Sequence, residues 1–372
     1  MKFFQLTQSE VQQYAQLYNT PLLILSLEQI KHNYTLFKQH LPTVKIHYAI
    51  KSNSDNNIIK TLIDLDSHFD VASDGEILDL ISMGVSSDHI IYANPVKTPS
   101  GLSTAKLAGI YKFTYDSESE VYKLAREVPG SQVLLRIKME NSDALIDLNK
   151  KFGADVKEAI SLLKLARNNN LNVVGLCFHV GSGSLNVEAY INALIVCRKI
   201  FDEAIKEGFN MQYLDIGGGF TSFLNDQEVD IELIFKTLNI ALIKYFPDIE
   251  IWAEPGRFIC ANASNLITSV IGTTIRNNKQ WYFLDEGIYG TFSGVIFDYW
   301  NPQFITFKNQ DKIYSTLAGP SCDSMDIIVR DQLMESLEIG DLILTPNCGA
   351  YSTVTATNFN GFSKAKIIIY KK

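Results

Sequence analysis

Between about residues 25 and 265 the chain alternates short apolar runs with longer amphipathic stretches. The runs Lys45–Ile50, His68–Ala72, His89–Ala93, Tyr111–Tyr115, Gln132–Ile137, Val173–Phe178, Gln212–Ile216 and Ile249–Ala253 have the length and residue types of strands. Asp55–Leu65, Gly75–Met83, Ser117–Val128, Ala154–Asn168, Val187–Gly208 and Asp230–Tyr245 carry apolar residues at helical spacing. Eight strands alternating with helices predict an α/β fold, a closed parallel (β/α)8 barrel of the TIM type. An open doubly wound sheet is the rival that periodicity alone leaves standing. After Arg257 the pattern changes: Leu266–Ile275, Trp281–Leu284, Ile313–Leu317, Leu342–Thr345 and Ala365–Tyr370 read as strands with few helical stretches between them. The expected organisation is a barrel over 25–265, with 1–24 and 266–372 forming a mostly β domain. No low-complexity linker separates them, so a flexible tether is not expected.

At 372 residues, 46% apolar and 20% charged, the composition is that of an ordinary globular protein. No apolar run reaches the length of a membrane span, and the N-terminus turns polar too early for a secretory signal. A net charge of −8 argues against nucleic acid as a partner and is compatible with a small cationic substrate. The five cysteines are odd in number and lack CxxC spacing, which fits free thiols in a reducing, cytoplasmic compartment. The six histidines show no HxH or HxxxH pair, so no metal is expected.

Six segments carry candidate chemistry. Lys51 ends the first barrel strand, where barrels place catalytic groups, and a lysine there can form a Schiff base with a carbonyl cofactor. A solvated loop lysine is the plainer alternative. The run Gly217-Gly218-Gly219 follows a strand and suits either an anion held by backbone amides or simply a tight turn. It matches neither GxGxxG nor GxxxxGKS. His179 to Ser184 offers an imidazole able to stack on a flat ring and hydroxyls able to hold phosphate, although a lone histidine is equally at home in a core. Glu254 and Arg257 could grip a ring nitrogen and a phosphate, or form a structural ion pair. Cys322 stands beside Asp323 and near Asp326 in a turn-like setting, and Tyr351 offers a further phenol.

Together, YAIKSN, FDVASDGE, KFGA, FHVGSGS, LDIGGGF, AEPGRF, GPSCDSMD, GAYS and FNGF run in order through nearly the whole chain. They resemble the pyridoxal-phosphate-dependent decarboxylases of basic amino acids, the ornithine decarboxylase-like family. The resemblance implies that Lys51 carries the cofactor, that His179 stacks on its ring, and that Glu254 pairs with the ring nitrogen. It implies a phosphate site of Ser182, Gly218, Gly219, Arg257 and Tyr351, with Asp70, Arg136 and Glu76 as supporting polar groups. Cys322 matches the thiol that protonates the product carbon, Asp323 the carboxylate that binds the distal amine, and Phe359 an aromatic residue lining that site. Similar enzymes are head-to-tail homodimers with shared active sites, and Asp116 and Lys151 match an ion pair across the interface. A glutamate rather than an arginine beside the ring nitrogen keeps the ring protonated, which favours decarboxylation over racemisation.

One segment departs from the family. In Asp285-Glu286-Gly287-Ile288-Tyr289-Gly290 the resemblance places Glu286 where the family has an aspartate and Asp285 where it has an asparagine. A glutamate reaching about one methylene further suits a shorter diamino acid or a guanidinium, as in viral arginine decarboxylases of this family. Alternatively, Asp285 takes over by a one-residue shift. The expected activity is decarboxylation of L-ornithine to putrescine, with arginine and lysine as alternatives. A diaminopimelate decarboxylase is disfavoured because aspartate, not glutamate, follows Cys322. A non-catalytic homologue is disfavoured because Lys51, His179, Glu254, Arg257 and Cys322 are all present.

Overall fold

A computed structural model describes residues 3–139, 150–221, 223–224, 227–228 and 230–371. The chain forms two compact units: 33–224 with 228–258, and 1–32 with 225–227 and 259–372.

The first unit is a closed barrel of eight parallel strands, so the rival open sheet is excluded. In order around the barrel they are Glu250–Ala253, Lys45–Ala49, His68–Val71, Ile90–Tyr92, Lys112–Tyr115, Gln132–Ile137, Asn172–Phe178 and Tyr213–Asp215. Closure comes from Glu250–Ala253, which pairs with Tyr213–Asp215 on one side (Ile251↔Leu214) and with Lys45–Ala49 on the other (Trp252↔Lys45). The strands are buried almost throughout, because the helices cover one face and the filled interior the other, which is why they read as apolar runs. Ile91, Leu134, Val174, Cys177 and Trp252 form part of that interior. The helices start where the sequence supplies caps: Asp55 accepts from Asn57 N at 2.8 Å ahead of Asn56–Asp64, and Ser73 caps Asp74–Ser82.

All eight expected strands are present, within a residue or so of their expected ends. The helix Leu27–His40 ahead of the first barrel strand was not anticipated, and neither was the barrel helix Pro99–Leu107. Its sequence is mostly small residues, and only Gly101, Leu102 and Ala105 are buried, so its apolar stripe is narrow. Its start is nevertheless well marked, with Thr98 accepting from Gly101 N at 3.0 Å and Pro99 in the first turn.

The second unit is built on a seven-stranded sheet. Its order is Ile327–Glu335, Lys312–Ala318, Lys279–Leu284, Ser264–Arg276, Leu22–Leu25 and Lys366–Ile369, with Leu342–Thr345 also pairing to Ser264–Arg276. The N-terminal strand is therefore Leu22–Leu25, antiparallel to Ser264–Arg276 and parallel to Lys366–Ile369. Strand Ile327–Glu335 was not anticipated. Its register jumps from Ser315↔Gln332 to Leu317↔Val329, and Asp331 has φ 56°, so a bulge breaks the alternation by which strands are recognised. Lys279–Leu284 and Lys312–Ala318 run parallel (Phe283↔Ala318), so the segments that follow them leave the sheet side by side. Leu266, Tyr282, Leu284, Leu317 and Ile343 fill the core of this unit. Among the described residues no helix is long and apolar enough to cross a membrane.

Candidate active site

In the barrel unit the singled-out residues converge on the C-terminal ends of the strands. Lys51 lies in the single 3-10 turn Ile50–Ser52 that follows Lys45–Ala49. That turn is tied down from both sides: Ser52 Oγ donates to Ala49 O at 2.8 Å, and the buried Tyr48 hydroxyl donates to Asn53 O at 2.9 Å. Lys51 Nζ donates to Asp70 Oδ2 from the neighbouring strand. Asp70 is 1% exposed, whereas the lysine side chain is 45% exposed, so a buried carboxylate holds an amine that substrate can still reach. Glu76 stands nearby, its carboxylate accepting from Ala72 N at 2.6 Å. Burial, more than any other cause, raises its pKa above the ordinary value.

The glycine run forms a turn that no other residue could make. Gly217 and Gly219 have φ of 67° and 99°, and a Cβ on them would lie 2.3 Å from Phe178 O and 2.4 Å from Gly181 O. A Cβ on Gly218 would lie 2.6 Å from Glu254 O and 3.2 Å from His179 Nε2. Three bare backbone units are thus pressed against the histidine segment and the end of the last strand, a cradle that any side chain would fill. Asp215 Oδ1 locks the entrance by accepting from Gly217 N at 2.8 Å, and the Tyr190 hydroxyl donates to Gly218 O at 2.9 Å. Arg257 opens the short helix Arg257–Cys260 and donates through Nη2 to Ser182 Oγ at 3.4 Å, bringing guanidinium and hydroxyl together beside the cradle. A phosphate group fits this donor set of backbone amides, hydroxyl and arginine.

The polar groups are electrically matched to an aromatic cofactor. His179 Nδ1 accepts from Gly181 N at 2.9 Å, so the ring proton sits on Nε2. Burial, followed by the charges of Arg136 and Lys51, drives its pKa well below 6.5, and the imidazole is neutral. Arg136 lies over the Phe152 ring at 5.3 Å, with buried Nε and Nη2 atoms lacking hydrogen-bond partners among the described residues. Burial raises the Glu254 carboxyl well above its usual range, with Asp215 and Asp70 adding to the effect. Asp215, not among the residues singled out from the sequence, is 1% exposed and is pushed up to about 6 by burial and, to a smaller extent, by the charge of Asp70, against the hydrogen bonds from Gly217 and Glu254 that lower it. The two titrate as a pair, and such a pair retains a proton beside the ring site. Asp116 Oδ2 accepts from Gly153 N at 2.8 Å, and Lys151 lies over the Phe152 ring at 4.9 Å.

In the β unit a second group assembles on the two segments leaving the parallel strands. Cys322 is exposed, and its amide donates to Asn360 Oδ1 at 3.1 Å. Asp323 accepts from Met325 N at 3.0 Å and from the Tyr289 hydroxyl, and both hold its carboxyl below the usual range. Phe359 is stacked on Tyr289, ring centroids 4.3 Å apart. Tyr351 adopts φ 53°. Glu286 is 5% exposed and turned back into its own loop: Gly287 N donates to it at 2.9 Å and Thr291 Oγ1 at 3.1 Å. Burial pushes its pKa up to about 7. Asp285 Oδ1 accepts from Ser269 N at 2.9 Å. Both acids therefore have partners within their own unit. Tyr289 was not singled out in the sequence, although it lies three residues after Glu286 in the same quoted segment.

Residues 27–261 match the family described as pyridoxal-dependent decarboxylase, pyridoxal binding domain. The chain is 46% identical over 372 residues to the lysine/ornithine decarboxylase of Selenomonas ruminantium, covering 100% of this chain and 95% of that protein. It is 36% identical to antizyme inhibitor 2 of Xenopus laevis, over 92% of this chain and 79% of that one. A crystal structure of SrLDC in complex with PLP and cadaverine superposes with a TM-score of 0.95 at 44% identity, covering 100% of this chain and 95% of the other. With the barrel, the lysine at its mouth and the glycine turn beside Arg257 and Ser182, these likenesses show that the chain belongs to the pyridoxal-phosphate-dependent decarboxylases of basic amino acids.

Proposed function

We propose that this enzyme decarboxylates L-ornithine and L-lysine, releasing putrescine and cadaverine. The observation that carries the reading is the Lys51–Asp70 pair beside the glycine cradle, in a chain 46% identical over its full length to a lysine/ornithine decarboxylase. Bound pyridoxal phosphate supplies a conjugated, electron-poor ring that accepts the electron pair left by departing CO2. Lys51 anchors the cofactor through its amine, and Asp70 fixes that amine in place. Ser182, Gly218, Gly219, Arg257 and Tyr351 would hold the phosphate, and the neutral His179 would face the ring without adding a positive charge. Glu254, supported by Asp215, keeps a proton at the ring nitrogen. Arg136 and Glu76 complete the polar wall around Lys51.

The substrate's far end is assigned to Asp323, whose carboxylate takes the distal ammonium while Tyr289 and Phe359 flank its methylene chain. Cys322 delivers the proton to the carbon that has lost CO2. The proposal includes a cytoplasmic head-to-tail homodimer in which the barrel of one subunit works with the β unit of the other. Glu286 and Asp285 shape the loop behind Tyr289 rather than forming the primary amine contact.

The test compares kcat/KM for ornithine, lysine, arginine, 2,4-diaminobutyrate and diaminopimelate in L and D forms, with the amine product identified. The expected outcome is that L-ornithine and L-lysine lead and that Lys51→Ala abolishes CO2 release. Preference for arginine would overturn the substrate assignment, and undiminished CO2 release by Lys51→Ala would overturn the chemistry.

A further inference from the structure

We propose that Asp326 is a positioning residue for this reaction, a single carboxylate that sets the spacing between the loop bearing Tyr289 and the loop bearing Cys322 and Asp323. The inference rests on the reading above, in which those three residues serve the substrate.

The two loops follow the parallel strands Lys279–Leu284 and Lys312–Ala318 and also meet through the Tyr289 hydroxyl and Asp323. Asp326 is 3% exposed and lies between them. Its Oδ1 accepts from Ile288 N on one loop at 2.9 Å, and its Oδ2 accepts from Ser321 N on the other at 3.0 Å. Its backbone closes the second loop on itself: Gly319 N donates to Asp326 O at 2.9 Å, and Asp326 N donates to Asp323 O at 3.1 Å. Each loop keeps a glycine where the carboxylate passes, for a Cβ on either Gly287 or Gly319 would lie 2.3 Å from Oδ1. Neither glycine has a positive φ, so space rather than backbone conformation requires them. Tyr289 reaches Asp323 across the same gap, which makes the register of the two loops a condition for presenting that carboxylate correctly.

An asparagine at this place offers one acceptor oxygen for two amides and turns an N–H toward the other, so the loops lose their common anchor while Cys322 and Asp323 stay in the chain. Gly319→Ala displaces the same carboxylate by steric pressure alone and keeps the test open if Asp326→Asn folds poorly. Both variants are assayed as holoenzymes for cofactor absorbance, kcat, KM and the share of turnovers in which the proton goes to the cofactor, ending in an aldehyde instead of an amine. Expected are retained cofactor absorbance, a kcat lower by about 100-fold, the scale of an ångström-sized misplacement, and an increased aldehyde share. Wild-type kcat, KM and product partition in either folded variant would overturn the proposal, as would a loss of cofactor and fold in step with activity in both. Cys322→Ala and Asp323→Ala are run beside them. Unchanged kinetics in both of these would show that the underlying reading of the loop has failed, and the positioning role would fall with it.

Discussion

Asp215→Asn isolates the electrostatics of the barrel site. The asparagine Oδ1 can still accept from Gly217 N, so the glycine turn keeps its lock. What disappears is an acid whose folded pKa is about 6 against an ordinary 3.8, raised mainly by burial and further by the charge of Asp70. The unfolded chain releases this proton near pH 4, while the folded one keeps it to about pH 6. The group's contribution to stability is therefore fully present below about pH 4 and is lost as pH rises through 6. A shift of roughly two units corresponds to about 3 kcal/mol in total, of which about 1 kcal/mol is lost between pH 5 and pH 7. Glu254 shifts in the same direction, and removing its charged neighbour weakens that shift, so about 1 kcal/mol is a lower bound.

The assay is urea unfolding of the apoprotein, wild type and Asp215→Asn, at pH 5, 6 and 7. Cofactor is omitted because bound ligand adds its own stabilisation. The variant should gain on the wild type by about 1 kcal/mol or more from pH 5 to 7, whatever the fixed offset between the two proteins. A gap independent of pH would refute the claim that burial holds a proton on this pair.

Two further outcomes test other parts of the site. Gly219→Ala must place an alanine at φ 99° with its Cβ 2.4 Å from Gly181 O, a backbone cost of roughly 1–3 kcal/mol before any clash is relieved; cofactor titrated by absorbance should bind more weakly, and an unchanged Kd would remove the cradle from the phosphate site. Mixing Lys51→Ala with Cys322→Ala protein should restore part of the lost activity if barrel and thiol are shared between subunits, and no recovery despite proven subunit exchange would count against the head-to-tail dimer.

The elements legible in the sequence are those whose apolar residues are gathered into short runs or a regular stripe, whether the strand is covered on both faces as in the barrel or partly exposed as in Lys312–Ala318. Barrel strands are covered on both faces and appear as short, mainly apolar runs interrupted by single polar residues such as His47, Asp70 and Arg136, so all eight could be seen. The helix Pro99–Leu107 and the bulged strand Ile327–Glu335 escaped because small residues and a left-handed Asp331 erase the period. The N-terminal helix Gln8–Tyr18 was missed although its capping box was written in Thr7 and Glu10, whose carboxylate accepts from Thr7 N at 2.8 Å. In the site, residues standing in local motifs were visible. Asp215 and Asp326 stood inside quoted motifs too, but their importance comes from what surrounds them: a second carboxylate, or an amide 38 residues distant, neither of which a local pattern encodes.

The two units solve the same geometric problem by the same means. Catalytic groups scattered along the chain must be brought within ångströms of each other, and parallel strands do this because their C-terminal ends point one way and release their loops together. In the barrel this joins Lys51 to Asp70, 19 residues apart, and Arg257 to Ser182, 75 apart. In the β unit one of two parallel pairs among the described strands of a largely antiparallel sheet, the other being Leu22–Leu25 with Lys366–Ile369, joins Tyr289 to Asp323, 34 apart. An antiparallel pairing at that place would have sent the two loops to opposite ends of the sheet. The parallel step between Lys279–Leu284 and Lys312–Ala318 is accordingly the feature of the β unit's topology on which its chemistry depends, and Asp326 converts that coarse adjacency into a fixed distance.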